Sequence, residues 1–234
     1  MNNAVEHVTI PPIKKAVGSV IWLHGLGSNG YDFSNIIPQL VLPKDLHLRF
    51  ILPHAPMRPV TINSGVQMRA WYDIYSLIDF TQEDEDGIAQ AQRSVNQLIE
   101  EEISQGIPSC RIVLAGFSQG GAVALYTGLQ YRNPLAGIVA LSTYLPLANR
   151  IMKKKNITLH KKTPIFMAHG NSDLILPSSV GEKTFQILSQ IGHFVEWHDY
   201  TMGHQVCHKE IEEIGKWLST VFSIASSNAL SKFV

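Results

Sequence analysis

A mainly parallel β-sheet with helices packed on both faces is the architecture this sequence predicts, and three observations carry it. Short apolar runs alternate with longer stretches of helical character along the chain, the order that builds strand–helix–strand crossovers. The runs are continuous and rich in β-branched residues, as in strands covered on both faces. Glycine-bearing turns follow the runs, where open α/β sheets form their sites.

The elements follow in order. The run 19–23 reads as a buried strand ending in His24-Gly25-Leu26-Gly27, and a helix is expected over 31–41. A second strand covers 48–52 and closes at Pro53-His54-Ala55-Pro56. A helix over 86–103 places Ile88, Ala91, Val95, Leu98 and Ile99 on one face. The acidic run Glu83-Asp84-Glu85-Asp86 before it is expected in solvent, capping that helix where its dipole favours negative charge. A strand at 111–115, a helix at 119–131 and strands at 137–141 and 165–168 come next. A helix at 178–191, a strand at 194–200 and a helix at 206–222 complete the pattern. The last helix carries Ile211, Ile214, Trp217, Leu218 and Val221 at core-facing spacing. Lys153, Lys154, Lys155, Lys161 and Lys162 read as a solvated loop, and the tail after 223 as frayed. With no repeat, low-complexity tract or linker, residues 1–234 are expected to form one domain. The stretch between the strands ending at 141 and starting at 165 is too short for a large helical cap.

At 234 residues the chain can bury a substantial core without staples. Its 19 basic and 19 acidic residues leave no net charge, and no basic stripe with interleaved aromatics appears, so a nucleic-acid partner is not expected. No apolar stretch reaches 18 residues, so stable membrane insertion is not expected. The two cysteines make no disulfide framework, and the first residues lack a basic region followed by an apolar one. A cytoplasmic setting is therefore the expectation. Cys110, directly before a strand, reads as an inert structural thiol.

Gly116-Phe117-Ser118-Gln119-Gly120 is Gly-x-Ser-x-Gly between a strand and a helix. A serine at so sharp a turn has a strained backbone, and its close neighbours must be glycine to avoid each other. The turn then raises the Ser118 hydroxyl above the sheet, at the positive end of the helix dipole. The competing reading is an ordinary tight turn with Ser118 as a helix cap.

A serine hydroxyl needs a base and an orienting acid to become a nucleophile. Asp173, after the strand 165–168, and His204, after the strand 194–200, follow the serine in that order. Both fall on loops at the carboxyl edge of the sheet. His208 and Asp199 are the rivals, the first a turn into a helix and the second inside a strand. His24 and His169 read as structural, holding loop backbone near the site. No histidine or cysteine spacing fits a metal site. Position also assigns an oxyanion hole: the backbone N–H groups of Leu26 and Gln119 can converge on the developing charge.

Six ordered motifs, from Trp22-Leu23-His24-Gly25-Leu26-Gly27 through Pro53-His54-Ala55-Pro56, Trp71-Tyr72-Asp73, Gly116-Phe117-Ser118-Gln119-Gly120-Gly121 and His169-Gly170 with Asp173 to Gly203-His204, resemble one family. It is the acyl-protein thioesterase and small carboxylesterase (phospholipase/carboxylesterase) family of α/β-hydrolases. The resemblance implies hydrolysis of carboxylic esters or thioesters through Ser118, His204 and Asp173 without a cofactor. It carries the oxyanion roles onto Leu26 and Gln119, and implies that 60–80 lines the acyl site.

Met68, Trp71 and Leu77 lead the candidates for an apolar groove, beside Met57, Val60, Val66, Tyr72 and Ile78. Leu176, in Ile175-Leu176-Pro177, is a further candidate substrate contact. The expected substrate is a small ester, a lysophospholipid or an acylated protein. Acyl selection by apolar contact is weak, about 1–3 kcal/mol per methylene, so the sequence leaves these three open. Alternatives are a lysophospholipase, acyl transferase or peptidase on the same residues, or a non-catalytic binding protein of this fold. The oligomeric state also stays open, a homodimer being one option.

Overall fold

The computed structural model describes residues 4–153 and 160–230, and of 224–230 the helical backbone alone. Its strands are β1 (His7–Ile10), β2 (Gly18–Leu23), β3 (Leu48–Pro53), β4 (Met57–Val60), β5 (Val66–Arg69), β6 (Ile112–Phe117), β7 (Gly137–Leu141), β8 (Ile165–Gly170) and β9 (Val195–Tyr200). Its α-helices are α1 (Glu85–Ser104), α2 (Gln119–Gly128), α3 (Ala148–Lys153), α4 (Ser178–Gln190) and α5 (His208–Leu230). Seven strands form one sheet in the order β1-β3-β2-β6-β7-β8-β9. All neighbours run parallel except the edge strand β1, which is antiparallel to β3. β4 and β5 form a separate antiparallel hairpin.

Period-two alternation feeds two cores from the same strands. Ile21, Leu23, Ile112 and Leu114 pack into the core that α1, α2 and α4 cover. Val20, Trp22, Val113 and Ala115 point the other way, beneath Ile211, Ile214, Trp217 and Leu218 of α5. That double burial is why the runs read as continuously apolar. α2 is buried along all ten residues.

The site is positioned by the change of direction at β2 and β6. From β2 the chain proceeds to β3 on one side, whereas β6 leads to β7 on the other. The loops leaving these adjacent strands therefore diverge and open a crevice at their carboxyl ends. Leu23 is paired with Gly116, so the two strands end level there.

The structure departs from the sequence expectations in several places. Residues 31–41 form turns and a short 3₁₀ helix, Ile37–Gln39, in place of an α-helix. Pro38 lacks the N–H and clashes with the preceding turn of an α-helix. Phe33, Ile37 and Leu40 are nevertheless buried. Three elements had no sequence expectation: the edge strand β1, the hairpin and α3. The acidic run is only partly in solvent. Asp84 caps α1 by accepting the Gly87 N–H at 2.9 Å, and Glu83 accepts the Leu147 N–H at 2.8 Å. Burial pushes the Glu83 carboxyl up to about 7. Cys110, read as an inert structural thiol, is exposed in a 3₁₀ turn before β6. α5 runs on to Leu230. Of the expected solvated and frayed segments, Lys154, Lys155 and residues 231–234 lie outside the described residues.

Candidate active site

Ser118 sits between β6 and α2 with φ 54° and ψ −121°, a conformation non-glycine residues rarely adopt. Such strain persists only where the surroundings impose it. Here the glycines do so: a Cβ on Gly116 would overlap Gly120 and lie 2.6 Å from the Gly121 nitrogen. A Cβ on Gly120 would lie 2.6 Å from the His24 carbonyl oxygen. The Ser118 side chain makes no cap hydrogen bond to α2, which sets aside its reading as a helix cap. The turn is tied down by its backbone, the Ser118 N–H donating to Leu141 O at 2.8 Å and the Thr143 hydroxyl donating to Ser118 O at 2.7 Å.

Ser118, His204 and Asp173 lie in one hydrogen-bonded line. The Ser118 Oγ is 3.0 Å from His204 Nε2, and His204 Nδ1 is 2.6 Å from Asp173 Oδ2. The Phe117 ring packs 4.8 Å from the His204 ring and restrains its tilt. Asp173 is buried, which opposes ionisation. The hydrogen bond from His204 and the Leu176 and Ile175 N–H groups outweigh burial and hold its carboxyl below the usual range. His169, fully buried, donates Nε2–H to Leu176 O at 2.8 Å with Asp173 Oδ2 at 3.4 Å. Burial holds the His169 imidazole below its ordinary pKa, so it braces the acid loop as a neutral group. The rivals lie elsewhere: the exposed His208 pairs with Glu212 at the start of α5, and Asp199 is an exposed residue of β9.

The loop after β2 meets this line from the other side. A Cβ on Gly25 would lie 3.5 Å from the Ser118 Cβ, so Leu26 follows a backbone in contact with the serine. The Leu26 and Gln119 N–H groups have no acceptor among the described residues. The Gln119 N–H lies at the start of α2, where the helix dipole favours negative charge.

These observations meet the comparisons with known proteins. The model of the phospholipase/carboxylesterase family matches residues 4–222. The chain belongs to that family. Acyl-protein thioesterase 1 of Neurospora crassa is 39% identical over 218 residues, covering 90% of this chain and 89% of that protein. Acyl-protein thioesterase 1 of Yarrowia lipolytica is 37% identical over 216 residues, 90% of this chain and 95% of that protein. The crystal structure of Zea mays acyl-protein thioesterase 2 superposes with a TM-score of 0.81 at 28% identity, covering 93% of this chain and 99% of that one. As a member of the phospholipase/carboxylesterase family, this chain is an α/β-hydrolase and a hydrolase of acyl esters.

Within this family member, two expected groove residues prove to be internal braces. Trp71 is 1% exposed: its N–H donates to Gln119 Oε1 at 2.9 Å and its indole N–H to His24 O at 2.9 Å. Leu176 is 3% exposed, and its backbone serves the acid loop. Val60 and Tyr72 are buried as well, the Tyr72 hydroxyl lying 2.9 Å from that of Tyr144. Trp71 and Tyr72 lie in a 70–74 segment that is fastened to the hairpin, the Ile62 N–H donating to Ile74 O at 2.9 Å. Met68 is half-buried and its Sδ borders Gly27 in the loop after β2, and Leu77 is half-buried against the core. Met57, Val66 and Ile78 are exposed.

Four contributors escaped the sequence reading. Phe117 packs on His204, Thr143 holds the Ser118 carbonyl, and Asp73 accepts the Thr61 N–H at 2.7 Å to fasten the hairpin. The Gln119 side chain bridges the Trp71 N–H and the Tyr72 carbonyl. Only the place of Thr143 just past β7 was a usable signal.

Proposed function

We propose that this family member hydrolyses acyl thioesters on protein cysteines, with Ser118 as nucleophile, His204 as base and Asp173 as orienting acid. The observation that carries it is the unbroken line from Ser118 Oγ to His204 to Asp173, with separations of 3.0 and 2.6 Å. Those separations fall within proton-transfer reach. The Ser118 oxygen attacks the acyl carbonyl while His204 Nε2 takes the hydroxyl proton. The Leu26 and Gln119 N–H groups receive the oxyanion. As the carbonyl reforms, the C–S bond breaks and the thiol leaves with that proton. Water then repeats the sequence on the acyl-Ser118 ester, His204 accepting its proton, and releases the carboxylic acid. No step routes through a cofactor.

The thioester preference rests on the acyl-protein thioesterases among the relatives. Met68 and Leu77, with exposed Met57, Val66 and Ile78, offer the acyl chain apolar contact. We place the enzyme in the cytoplasm, since both cysteines are free. No helix among the described residues is long and apolar enough to cross a membrane.

The test is an acylated cysteine peptide and its serine oxygen-ester counterpart, assayed with wild type and Ser118→Ala, alongside fluorophosphonate labelling. Thiol release exceeding oxygen-ester cleavage, with both activities and labelling lost in the variant, is the expected result. Persistent turnover by Ser118→Ala would remove Ser118 as nucleophile. Turnover of a lysophospholipid in preference to both peptides would replace the substrate class.

A further inference from the structure

The fully buried His24 precedes Gly25, where a Cβ would lie 3.5 Å from the Ser118 Cβ. Its Nδ1 is 2.7 Å from the Gly25 carbonyl oxygen, and its Nε2 is 3.0 Å from the Ala55 nitrogen. A carbonyl only accepts and an amide N–H only donates, so the partners fix one neutral tautomer: Nδ1–H donates and Nε2 accepts. Burial, which lowers the imidazole to a pKa of about 4, keeps it in that form near neutrality. The His24 carbonyl is itself held by the Trp71 indole N–H at 2.9 Å.

The consequence lies in the next peptide. Gly25 C=O and Leu26 N–H belong to one planar trans unit and point in opposite directions. Gly25 has no side chain to resist rotation of that unit, and glycine populates many backbone conformations. Whatever holds the Gly25 oxygen therefore aims the Leu26 hydrogen. The Ser28 N–H, at 3.3 Å from the same oxygen, is the weaker of the two restraints.

We infer that His24 is a positioning residue for the oxyanion hole: through its Nδ1–H bond to the Gly25 carbonyl, it turns the Leu26 N–H toward the charge developing at the substrate. The inference rests on the proposed role of Leu26. Preorganisation of such a donor matters in the transition state and little in substrate binding.

Two variants of similar polarity separate the two contacts of the ring. His24→Asn keeps an amide N–H where Nδ1 sits and gives up the Ala55 contact. His24→Gln keeps an acceptor where Nε2 sits and gives up the Gly25 contact. The measurements are kcat and KM on p-nitrophenyl butyrate, and inhibition by a trifluoromethyl ketone, which forms an oxyanion on serine, against an uncharged ether analogue. His24→Asn is expected within about tenfold of wild type in kcat. His24→Gln is expected to lose about 10²–10³-fold in kcat and in ketone affinity, with KM and ether affinity within about threefold. Equal kcat in the two variants, or a glutamine loss shared by KM and both inhibitors, overturns the inference. If His24→Gln does not fold, His24→Asn decides, since a loss of 100-fold or more with the Gly25 contact kept would overturn it. Wild type that fails to bind the ketone instead overturns the proposed mechanism itself.

Discussion

Asp173 Oδ2 lies 2.6 Å from His204 Nδ1, while its other oxygen accepts two backbone N–H groups at 2.9 Å. The carboxylate thus has one fixed rotation about its last bond, with one oxygen aimed at the imidazole. Asp173→Asn must turn an NH₂ group toward either the histidine or the two amides. We expect kcat to fall by about 10⁴-fold with KM little changed, as the imidazole takes the wrong tautomer. Asp199→Asn, on an exposed strand position, should leave both constants as they are. A reversed ranking in steady-state assays would move the acid to β9.

Removing either end of the proton path should be as costly. Ser118→Ala and His204→Ala are each expected to lower kcat by 10³-fold or more, at the order of magnitude that residues acting as a unit give. Combining them should cost little beyond either single change. Losses that multiplied would mean independent roles.

Gly120 lets α2 approach the end of β2 and the loop that follows it. The methyl of Gly120→Ala would lie 2.6 Å from the His24 carbonyl oxygen, and backbone cannot step aside as a flexible side chain does. Overpacking of this kind costs about 1–3 kcal/mol. Denaturant unfolding should show that loss, and kcat should fall with it as the Leu26 and Gln119 amides are pushed apart. Full activity in this variant would mean that the close approach is not needed.

Glu210 gives a pH signature. Its side chain is fully buried, and burial raises the carboxyl from an ordinary 4.5 to about 8, against the opposing Cys207 N–H hydrogen bond. A carboxyl raised in the folded state binds its proton more tightly there than in the unfolded chain. Its stabilisation is therefore complete below pH 4.5 and is lost as pH rises toward 8. Each pH unit of displacement corresponds to about 1.4 kcal/mol, so the effect amounts to a few kcal/mol. Glu210→Gln keeps an acceptor for the Cys207 N–H and carries no charge. Thermal unfolding at pH 5 and pH 9 should show wild type losing more stability than the variant. Parallel curves would mean that Glu210 finds solvation when ionised.

The central strands were legible because they are covered on both faces and so are continuously apolar, and the boundaries of the expected strands moved by only a residue or two. The elements without an expectation are those lacking such a signal. β1 is four residues long and only half-buried, and β4 contains Pro59. Position 38 shows the reverse case: Phe33, Ile37 and Leu40 keep helical spacing and burial, yet proline prevents the α-helix. In the 57–78 segment hydrophobicity named apolar residues without telling a groove wall from a core residue. Trp71 and Leu176 are core because their backbones serve Gln119 and Asp173.

By itself the sequence determined what depends on near neighbours: the strand-to-helix turn at Ser118, forced by glycines four residues apart, and the placement of Asp173 and His204 on loops just past strands. Steric exclusion and side-chain period act over a few residues, so they can be read directly. Tertiary structure alone decided which groups meet. Trp71 reaches Gln119 across 48 residues, His24 reaches Ala55 across 31, and Phe117 seats the ring of His204. Those meetings follow from the strand order that brings β2 beside β6, set by burying both faces of the whole sheet at once, and no local stretch of chain contains that requirement.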